Sequence, residues 1–252
     1  MIKLDRTLVK PPASWPATVK KAFHDLASYQ HAAQAFELLD IGCQERRSGF
    51  SAYAPHCLKK RKGKPYFPSI WGQAKEALAK MTSGKCSYCE GGINSARSGQ
   101  VEHFKPKSLF PSLAYDWDNY FLACGGCNGA KSDQWPDVGE YLRPDRKDPA
   151  KQILFKTNGS MAARKGNQEA KITIEHFDLN RTWLVRRRKK HLEGMVDRLS
   201  DMTEVYKINS ALAIRLARKE LNRLKDPANA YSASLTQCFV REWKSAFPHV
   251  RL

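Results

Sequence analysis

Two pairs of closely spaced cysteines constrain the fold of this chain more than any other feature of its sequence. Cys86 and Cys89 form one CxxC pair, and Cys124 and Cys127 form a second pair further along the chain. A two-residue gap lets both thiolates of a pair reach one ion, and two pairs complete the tetrahedral ligand set that Zn²⁺ favours. Four protein ligands leave no open coordination position. We therefore expect a structural zinc ion that clamps the intervening segment.

The remaining cysteines do not extend this pattern. Cys43, Cys57 and Cys238 have no partner at ligand spacing and are predicted to act as small hydrophobic side chains. A single CxxC pair can also be a redox dithiol. Two pairs together, with Gly125 and Gly126 allowing a tight turn in the second, favour a zinc site over a thiol oxidoreductase.

The charge of the chain points to a polyanionic partner. Lys and Arg number 43 against 25 Asp and Glu, so the formal net charge is +18 over 252 residues. The electrostatic field of such a positive charge favours binding to nucleic acid first and to an anionic membrane surface second. One basic run, at residues 57–64, is either a solvated loop or a phosphate contact, and both interpretations stay open at this point.

The chain shows no signal-peptide pattern and no run of about 18 uncharged apolar residues. We therefore expect a cytoplasmic protein without membrane association, in a compartment where thiols stay reduced.

Periodicity divides the chain into three regions. Residues 1–82 read mainly as helices, with one apolar face at Val19, Phe23, Leu26 and Ala27. Residues 83–150 are rich in Gly, Pro, Asn and Asp and predict small strands and loops around the zinc. Residues 151–252 are helical again. The predicted class is α+β, a mostly helical protein around a small zinc-stapled core.

Three helices are predicted in the last region. The first spans about residues 181–206, and its inward side chains are Leu184, Leu192, Met195, Val196, Leu199 and Met202. The second covers about residues 211–224. The third starts with Asp226 as N-cap and Pro227 at the first helical position, and its apolar stripe is Tyr231, Leu235, Phe239 and Trp243.

Between the cysteine pairs lie the residues that phosphodiester hydrolysis needs. His103 is the candidate general base, because imidazole accepts a proton near neutral pH. Glu102 and Asn128 offer hard oxygen ligands, which suit Mg²⁺ or Mn²⁺ better than zinc. Lys131 lies three residues beyond Asn128 and is placed to neutralise phosphate charge.

The pattern CxxCE…EHFxPKS…WDNxFLxCxxCNxxK resembles the HNH (ββα-metal) endonuclease superfamily. It is similar, more narrowly, to the HNH nuclease subunit of Septu-type anti-phage defence systems and their retron-associated relatives. The resemblance implies a ββα-metal core with His103 as general base and with Glu102 and Asn128 as ligands of the catalytic ion. It also implies that Asn119 stabilises the loop that orients the base, although a plain loop-capping role gives the same residue type. Glu102 stands where the family usually has Asp.

The predicted function is that of a metal-dependent HNH endonuclease, the effector of a prokaryotic anti-phage defence system. Nucleic acid is the expected substrate, with DNA favoured over RNA, and the resemblance implies a partner ATPase subunit of the ABC/SMC type. The alternative is a non-catalytic zinc-ribbon module that binds nucleic acid. Such a module has no need of Glu102, His103, Asn128 and Lys131 at these spacings.

Overall fold

The computed structural model describes residues 1, 3–20, 60, 61, 64, 65, 67, 69–93 and 98–252. Its labelled helices are α1 (Lys75–Met81), α2 (Gly125–Lys131), α3 (Pro149–Gln152), α4 (Gln168–His176), α5 (Thr182–Ile208), α6 (Ser210–Lys225) and α7 (Ser232–Ala246). Its strands are β1 (Lys60–Arg61), β2 (Lys64–Pro65), β3 (Gln100–His103), β4 (Tyr120–Ala123), β5 (Ile153–Phe155) and β6 (Met161–Ala163). The predicted α+β class is confirmed.

In this described part of the chain, the strands form three antiparallel two-stranded sheets. The central sheet pairs β3 with β4, so that Val101 lies opposite Leu122 and His103 lies opposite Tyr120. Helix α2 follows β4 after a single residue, Cys124. Strand, strand and helix therefore succeed one another in the ββα order that the resemblance to HNH endonucleases implied.

The long helix of the last region forms where periodicity placed it. Helix α5 buries five of the six side chains that were predicted to face inward, which are Leu184, Leu192, Met195, Leu199 and Met202. The sixth prediction is wrong, because Val196 is 41% exposed. Met195 occupies the core position one residue earlier, and adjacent residues of a helix point in directions about 100° apart.

The start of the last helix differs from the prediction. Helix α7 begins at Ser232, and Asp226 caps a turn instead, with its carboxylate accepting a hydrogen bond of 2.8 Å from the amide of Ala228. Tyr231, at φ 60°, turns the chain into the helix. The predicted apolar stripe is nevertheless confirmed, since its members Tyr231, Leu235, Phe239 and Trp243 are all buried.

The three predicted regions contribute to one hydrophobic core, which includes Leu4 from the first, Tyr120 from the second and Trp243 from the third. Their boundaries at residues 82 and 150 stay a prediction. The core also encloses Arg188, whose guanidinium donates hydrogen bonds to the carbonyls of Gly159 and Leu179. These carbonyls satisfy a buried cation that would otherwise be costly.

Several sequence predictions fall outside the described residues. They concern the helical face beyond residue 20, the side chains of the basic run at 57–64, and both Cys43 and Cys57. Cys238 is described and is buried, as predicted. No helix in the described ranges is long and apolar enough to cross a membrane.

Candidate active site and metal centre

The four predicted cysteine ligands come together at one point. Their sulfur atoms all lie within 4.8 Å of one another, and the Sγ atoms of Cys89 and Cys124 are 3.8 Å apart. Three of these side chains are buried and Cys124 is partly so. Burial raises the pKa of the Cys86 thiol, whereas hydrogen bonds from neighbouring thiols lower the pKa of Cys124. A cluster of this kind can hold a metal ion, with release of the thiol protons.

Glu90, the residue after the first cysteine pair, stabilises the turn that the pair forms. The amide of Glu90 donates a hydrogen bond of 3.0 Å to the carbonyl of Cys86, and Glu90 adopts a left-handed φ of 61°. Its side chain is buried and forms an ion pair of 3.1 Å with the amino group of Met1. Glu90 therefore lies in a buried turn rather than in an exposed one.

An arginine from the C-terminal region lies against the second cysteine pair. The Nη2 atom of Arg181 is 3.3 Å from Cys127 Sγ and 3.8 Å from Cys124 Sγ. Its Nη1 atom donates to backbone carbonyls, including that of Asp178 at 2.8 Å. Burial alone would lower the pKa of Arg181, but attraction to the Cys127 sulfur raises it above its usual value. A Cβ atom on Gly126 would lie 3.1 Å from this guanidinium, so glycine leaves the room that Arg181 occupies.

His103 ends strand β3, with its ring held by a backbone group. Its Nε2 atom is 2.9 Å from the carbonyl oxygen of Ala114. Because a carbonyl only accepts, the neutral ring must carry its proton on Nε2 and keep the lone pair on Nδ1. Burial and the charge of Lys107 lower the pKa of His103 to about 4. The ring is therefore neutral at physiological pH, as a general base must be before it accepts a proton.

Asn119 fixes the loop that carries this carbonyl. Its Oδ1 accepts a hydrogen bond of 2.8 Å from the amide of Lys105, and its Nδ2 donates to the carbonyls of Lys105 and Leu113, both at 3.0 Å. The side chain is buried. It thereby ties the segment after His103 to the backbone immediately before Ala114, which agrees with the loop-stabilising position that the resemblance implied.

Glu102 and Lys131 form a buried ion pair with each other. Lys131 Nζ lies 2.6 Å from Glu102 Oε1, and each side chain is 1% exposed. The same ammonium donates a hydrogen bond of 2.7 Å to the carbonyl of His103. The hydroxyl of Tyr88, between the cysteines of the first pair, donates to the other oxygen of Glu102. Burial and the Glu102 carboxylate raise the pKa of Tyr88, so the hydroxyl keeps the proton it donates.

A cleft of about 890 Å³ opens beside His103 and is the candidate substrate site. Asn128 from helix α2 lines it, and the Nδ2 atom of Asn128 donates a hydrogen bond of 2.7 Å to Gln100 Oε1. This orientation leaves the Asn128 amide oxygen available to a cation. Asp133 is the carboxylate among the described lining residues.

The structure thus separates the predicted site residues into two groups. His103 and Asn128 line the cleft, whereas Glu102 and Lys131 do not. Successive side chains of a strand point to opposite faces, which is why Glu102 turns away from the side occupied by His103. As the structure places it, Lys131 cannot contact a phosphate in the cleft, because its ammonium is enclosed and already paired. The phosphate-neutralising role expected for Lys131 stays a prediction, which this placement does not favour.

Some residues around His103 escaped sequence reasoning. The indole of Trp71 packs edge-on against His103, with ring centroids 5.0 Å apart, and Tyr120 does so from another side at 5.1 Å. Lys107 and Lys75 also line the cleft. Lys107 lies in the EHFxPKS pattern, so the motif could have pointed to it. Trp71 precedes the first cysteine pair and lies outside the motif, so no sequence pattern pointed to it.

Comparison with known proteins assigns a class to this segment. Residues 86–134 match the family model described as HNH endonuclease. That range contains both cysteine pairs, the β3–β4 sheet and helix α2. The resemblance to HNH endonucleases is therefore confirmed for the part of the chain that builds the site.

Two curated relatives point to a narrower group. The chain is 30% identical over 146 residues to the Septu protein PtuB of Bacillus mycoides (strain KBAB4), which covers 46% of this chain and 50% of the relative. It is 30% identical over 116 residues to the Septu protein PtuB of Bacillus thuringiensis, covering 44% of each protein. The chain thus spans half or less of the length of the curated relatives it matches, and the resemblance to Septu nucleases is confirmed at that level.

The buried ion pair generates a test of stability. Lys131→Met should lower the free energy of unfolding by about 3–5 kcal/mol, because it leaves the Glu102 carboxylate buried without its cation. Glu102→Met combined with Lys131→Met should recover much of this loss, since neither charge of the pair then remains buried. Denaturant titration of the single and double variants measures both effects.

The matched control is the exposed ion pair of Lys147 with Glu169, whose atoms are 2.7 Å apart. Lys147→Met should cost no more than about 1 kcal/mol, because solvent screens this pair. Equal losses for Lys131→Met and Lys147→Met would contradict a structural role for the buried pair.

Proposed function

We propose that this chain is a metal-dependent endonuclease of the HNH type that hydrolyses phosphodiester bonds, with DNA favoured over RNA as substrate. The observation that carries the proposal is the neutral His103, held through Nε2 by the Ala114 carbonyl at the edge of an open cleft. The match of residues 86–134 to HNH endonucleases supports it. So does the net charge of +18, which favours a polyanionic substrate.

In the proposed reaction, His103 removes a proton from a water molecule. The lone pair on Nδ1 accepts that proton as the water oxygen forms its bond to phosphorus and the bond to the leaving oxygen breaks. The Ala114 carbonyl keeps the ring in the required tautomer, and Asn119 holds the loop that presents this carbonyl. Asn119 is therefore a positioning residue. The low pKa of His103 favours return of the proton to solvent after the reaction.

A divalent ion, Mg²⁺ or Mn²⁺, would stabilise the charge that develops on the phosphate and the leaving oxygen. The cleft offers the hard oxygen donors that these ions prefer, from Asn128 and Asp133. Glu102, the ligand that the resemblance implies, fits less well, because its carboxylate is bound by Lys131 and Tyr88. We propose Asn128 as the first ligand, and Glu102 joins it only by leaving its ion pair.

We propose that the four cysteines bind a structural zinc ion. Tetrahedral zinc with Zn–S distances near about 2.3 Å separates its sulfurs by roughly 3.8 Å. The Cys89 and Cys124 sulfurs are 3.8 Å apart, so the cluster has the right size. Four thiolates around Zn²⁺ would carry two excess negative charges in a largely buried place, and the Arg181 guanidinium at 3.3 Å offsets part of them.

We further propose that the chain acts in the cytoplasm as the nuclease of an anti-phage defence system. The similarity to proteins named Septu protein PtuB supports this role. The same resemblance implies a partner ATPase of the ABC/SMC type that restrains or directs the nuclease. An unrestrained nuclease would damage its own host, which is a reason to expect such control.

The first test concerns catalysis. His103→Ala should abolish cleavage in a panel of DNA and RNA substrates with Mg²⁺ or Mn²⁺, while fold and zinc content stay unchanged. Asn128→Ala should reduce cleavage in a way that a higher concentration of either ion partly restores. A His103→Ala protein that cleaves as fast as the parent would exclude this base, and absence of cleavage by the parent would leave a zinc-ribbon binding module.

A second test concerns zinc. Elemental analysis should find about one zinc ion per chain, and Arg181→Gln should weaken zinc binding by about 10–100-fold, as loss of an outer-shell partner does. Competition with a chromophoric chelator measures the affinity. Arg186→Gln is the control, because it removes an exposed charge from helix α5, which begins just after Arg181. A folded protein without zinc, or equal affinities for the two variants, would contradict this account.

A third test concerns the partner. Co-expression with an ABC-type ATPase encoded beside this chain should yield a complex that survives purification. Alone, the chain should cleave weakly or without selectivity, because nothing then directs it. Comparison of cleavage with and without the ATPase measures the difference. Full and selective cleavage by the isolated chain, with no ATPase bound, would overturn the proposal.

A further inference from the structure

The burial of Lys131 leaves one catalytic requirement unassigned. The proposed hydrolysis adds negative charge around phosphorus, and a nearby cation lowers the energy of that state. Lys131 is 1% exposed and pairs with Glu102, so it does not supply this charge in the structure. A side-chain cation that acts beside the proposed divalent ion must therefore be another residue of the cleft.

Lys107 has the placement that such a cation needs. It lines the cleft together with His103, and its charge is close enough to lower the pKa of the imidazole. Its Nζ atom lies 4.9 Å from the centroid of the Trp71 ring. The edge of the same indole contacts His103, with centroids 5.0 Å apart. Trp71 thus holds the ammonium and the imidazole at a fixed relation to each other.

The ammonium of Lys107 also lacks a carboxylate partner. None of the ion pairs among the described residues includes Lys107. Asp133 lies in the same cleft and partly offsets the effect of burial on the pKa of Lys107, yet it forms no ion pair with it. A partly buried cation without a counter-ion favours an anionic ligand, and a phosphate oxygen satisfies both its charge and its hydrogen bonds.

The neighbouring Lys105 differs from Lys107 because it has a carboxylate partner and lies outside the cleft. Its Nζ atom forms an ion pair of 3.2 Å with Glu140 and lies over the rings of Phe110 and Trp135. It does not line the cleft. The two lysines are two positions apart in the sequence, so Lys105 is a matched control for loss of one positive charge.

We propose that Lys107, and not Lys131, binds the phosphate that is cleaved. This inference rests on the proposed nuclease function and assigns the phosphate subsite of the same cleft. The ammonium donates hydrogen bonds to a nonbridging phosphate oxygen and offsets the added charge while His103 deprotonates the water. Lys107 is then a catalytic residue, since it touches the reacting group.

The first arm of the test measures binding without cleavage. Lys107→Gln and Lys105→Gln are each introduced into a His103→Ala background, and the affinity for a short labelled DNA duplex and its single strand is titrated against salt. Removal of one phosphate contact should reduce the log–log slope by about 0.9 for a duplex. Lys107→Gln should show this change, and Lys105→Gln should keep the parental slope. Equal slopes for the two variants would overturn the proposal.

The second arm measures cleavage with His103 intact. Lys107→Gln should lower kcat/KM by at least about tenfold, mainly through kcat, because the contact strengthens in the transition state. Lys107→Arg should restore the binding slope and part of the rate, which a merely misfolded variant would not do. Cleavage by Lys107→Gln at the rate of Lys105→Gln would overturn the catalytic role.

The two arms distinguish this proposal from the nuclease assignment. If the parent cleaves no nucleic acid but Lys107→Gln alone reduces the salt slope, the phosphate subsite stands and the nuclease assignment fails. If the parent cleaves and the slope is the same for both glutamine variants, the nuclease assignment stands and Lys107 is excluded.

Discussion

The convergence of four cysteine sulfurs within 4.8 Å of one another brings the two ends of the HNH-matched segment together. A two-stranded sheet and its loops are too small to be stable alone, so the cysteine cluster adds to the contacts that β3 and α2 make directly. The cysteine cluster also places Tyr88, which lies between Cys86 and Cys89, next to Glu102 on β3. The hydrogen bond from Tyr88 to Glu102 therefore links the cluster to the strand that carries His103.

The pair of Glu102 and Lys131 continues this connection into the helix. The ammonium on α2 binds the carboxylate on β3 and also the carbonyl of His103 itself. Lys131 thus holds the backbone carbonyl of His103, while Ala114 and Trp71 contact its ring from other directions. Precise placement of a base favours reaction, since small displacements of reacting groups cost much of the rate. The residues that define the motif therefore divide into those that line the cleft and those that are buried behind it.

The spacing of the cysteine pairs predicted their cluster, and the residues around position 103 singled out His103. The ββα order was implied by the resemblance to HNH endonucleases. The period of the apolar residues likewise predicted the buried stripe of α7. Nothing in the sequence predicted the hydrogen-bond partner of His103, because the Ala114 carbonyl is a backbone group that any residue could supply. Arg181 and Trp71 lie outside the motif, so no local sequence pattern predicts their contacts with the site. The burial of Glu102 did have a signal: neighbouring residues of a strand face opposite ways, and only one of Glu102 and His103 could face the cleft.

The guanidinium of Arg181 reaches Cys127 from 54 positions further along the chain, and Gly126 is the residue that admits it. Trp71, which contacts His103, stands well before the first cysteine pair. The smallest unit that could be transplanted into another scaffold is consequently longer than the matched segment at residues 86–134. A segment that begins and ends at the cysteines would lack Arg181, which contacts the cysteine cluster, and Trp71, which packs against His103. A transplanted site would therefore need at least residues 71–181.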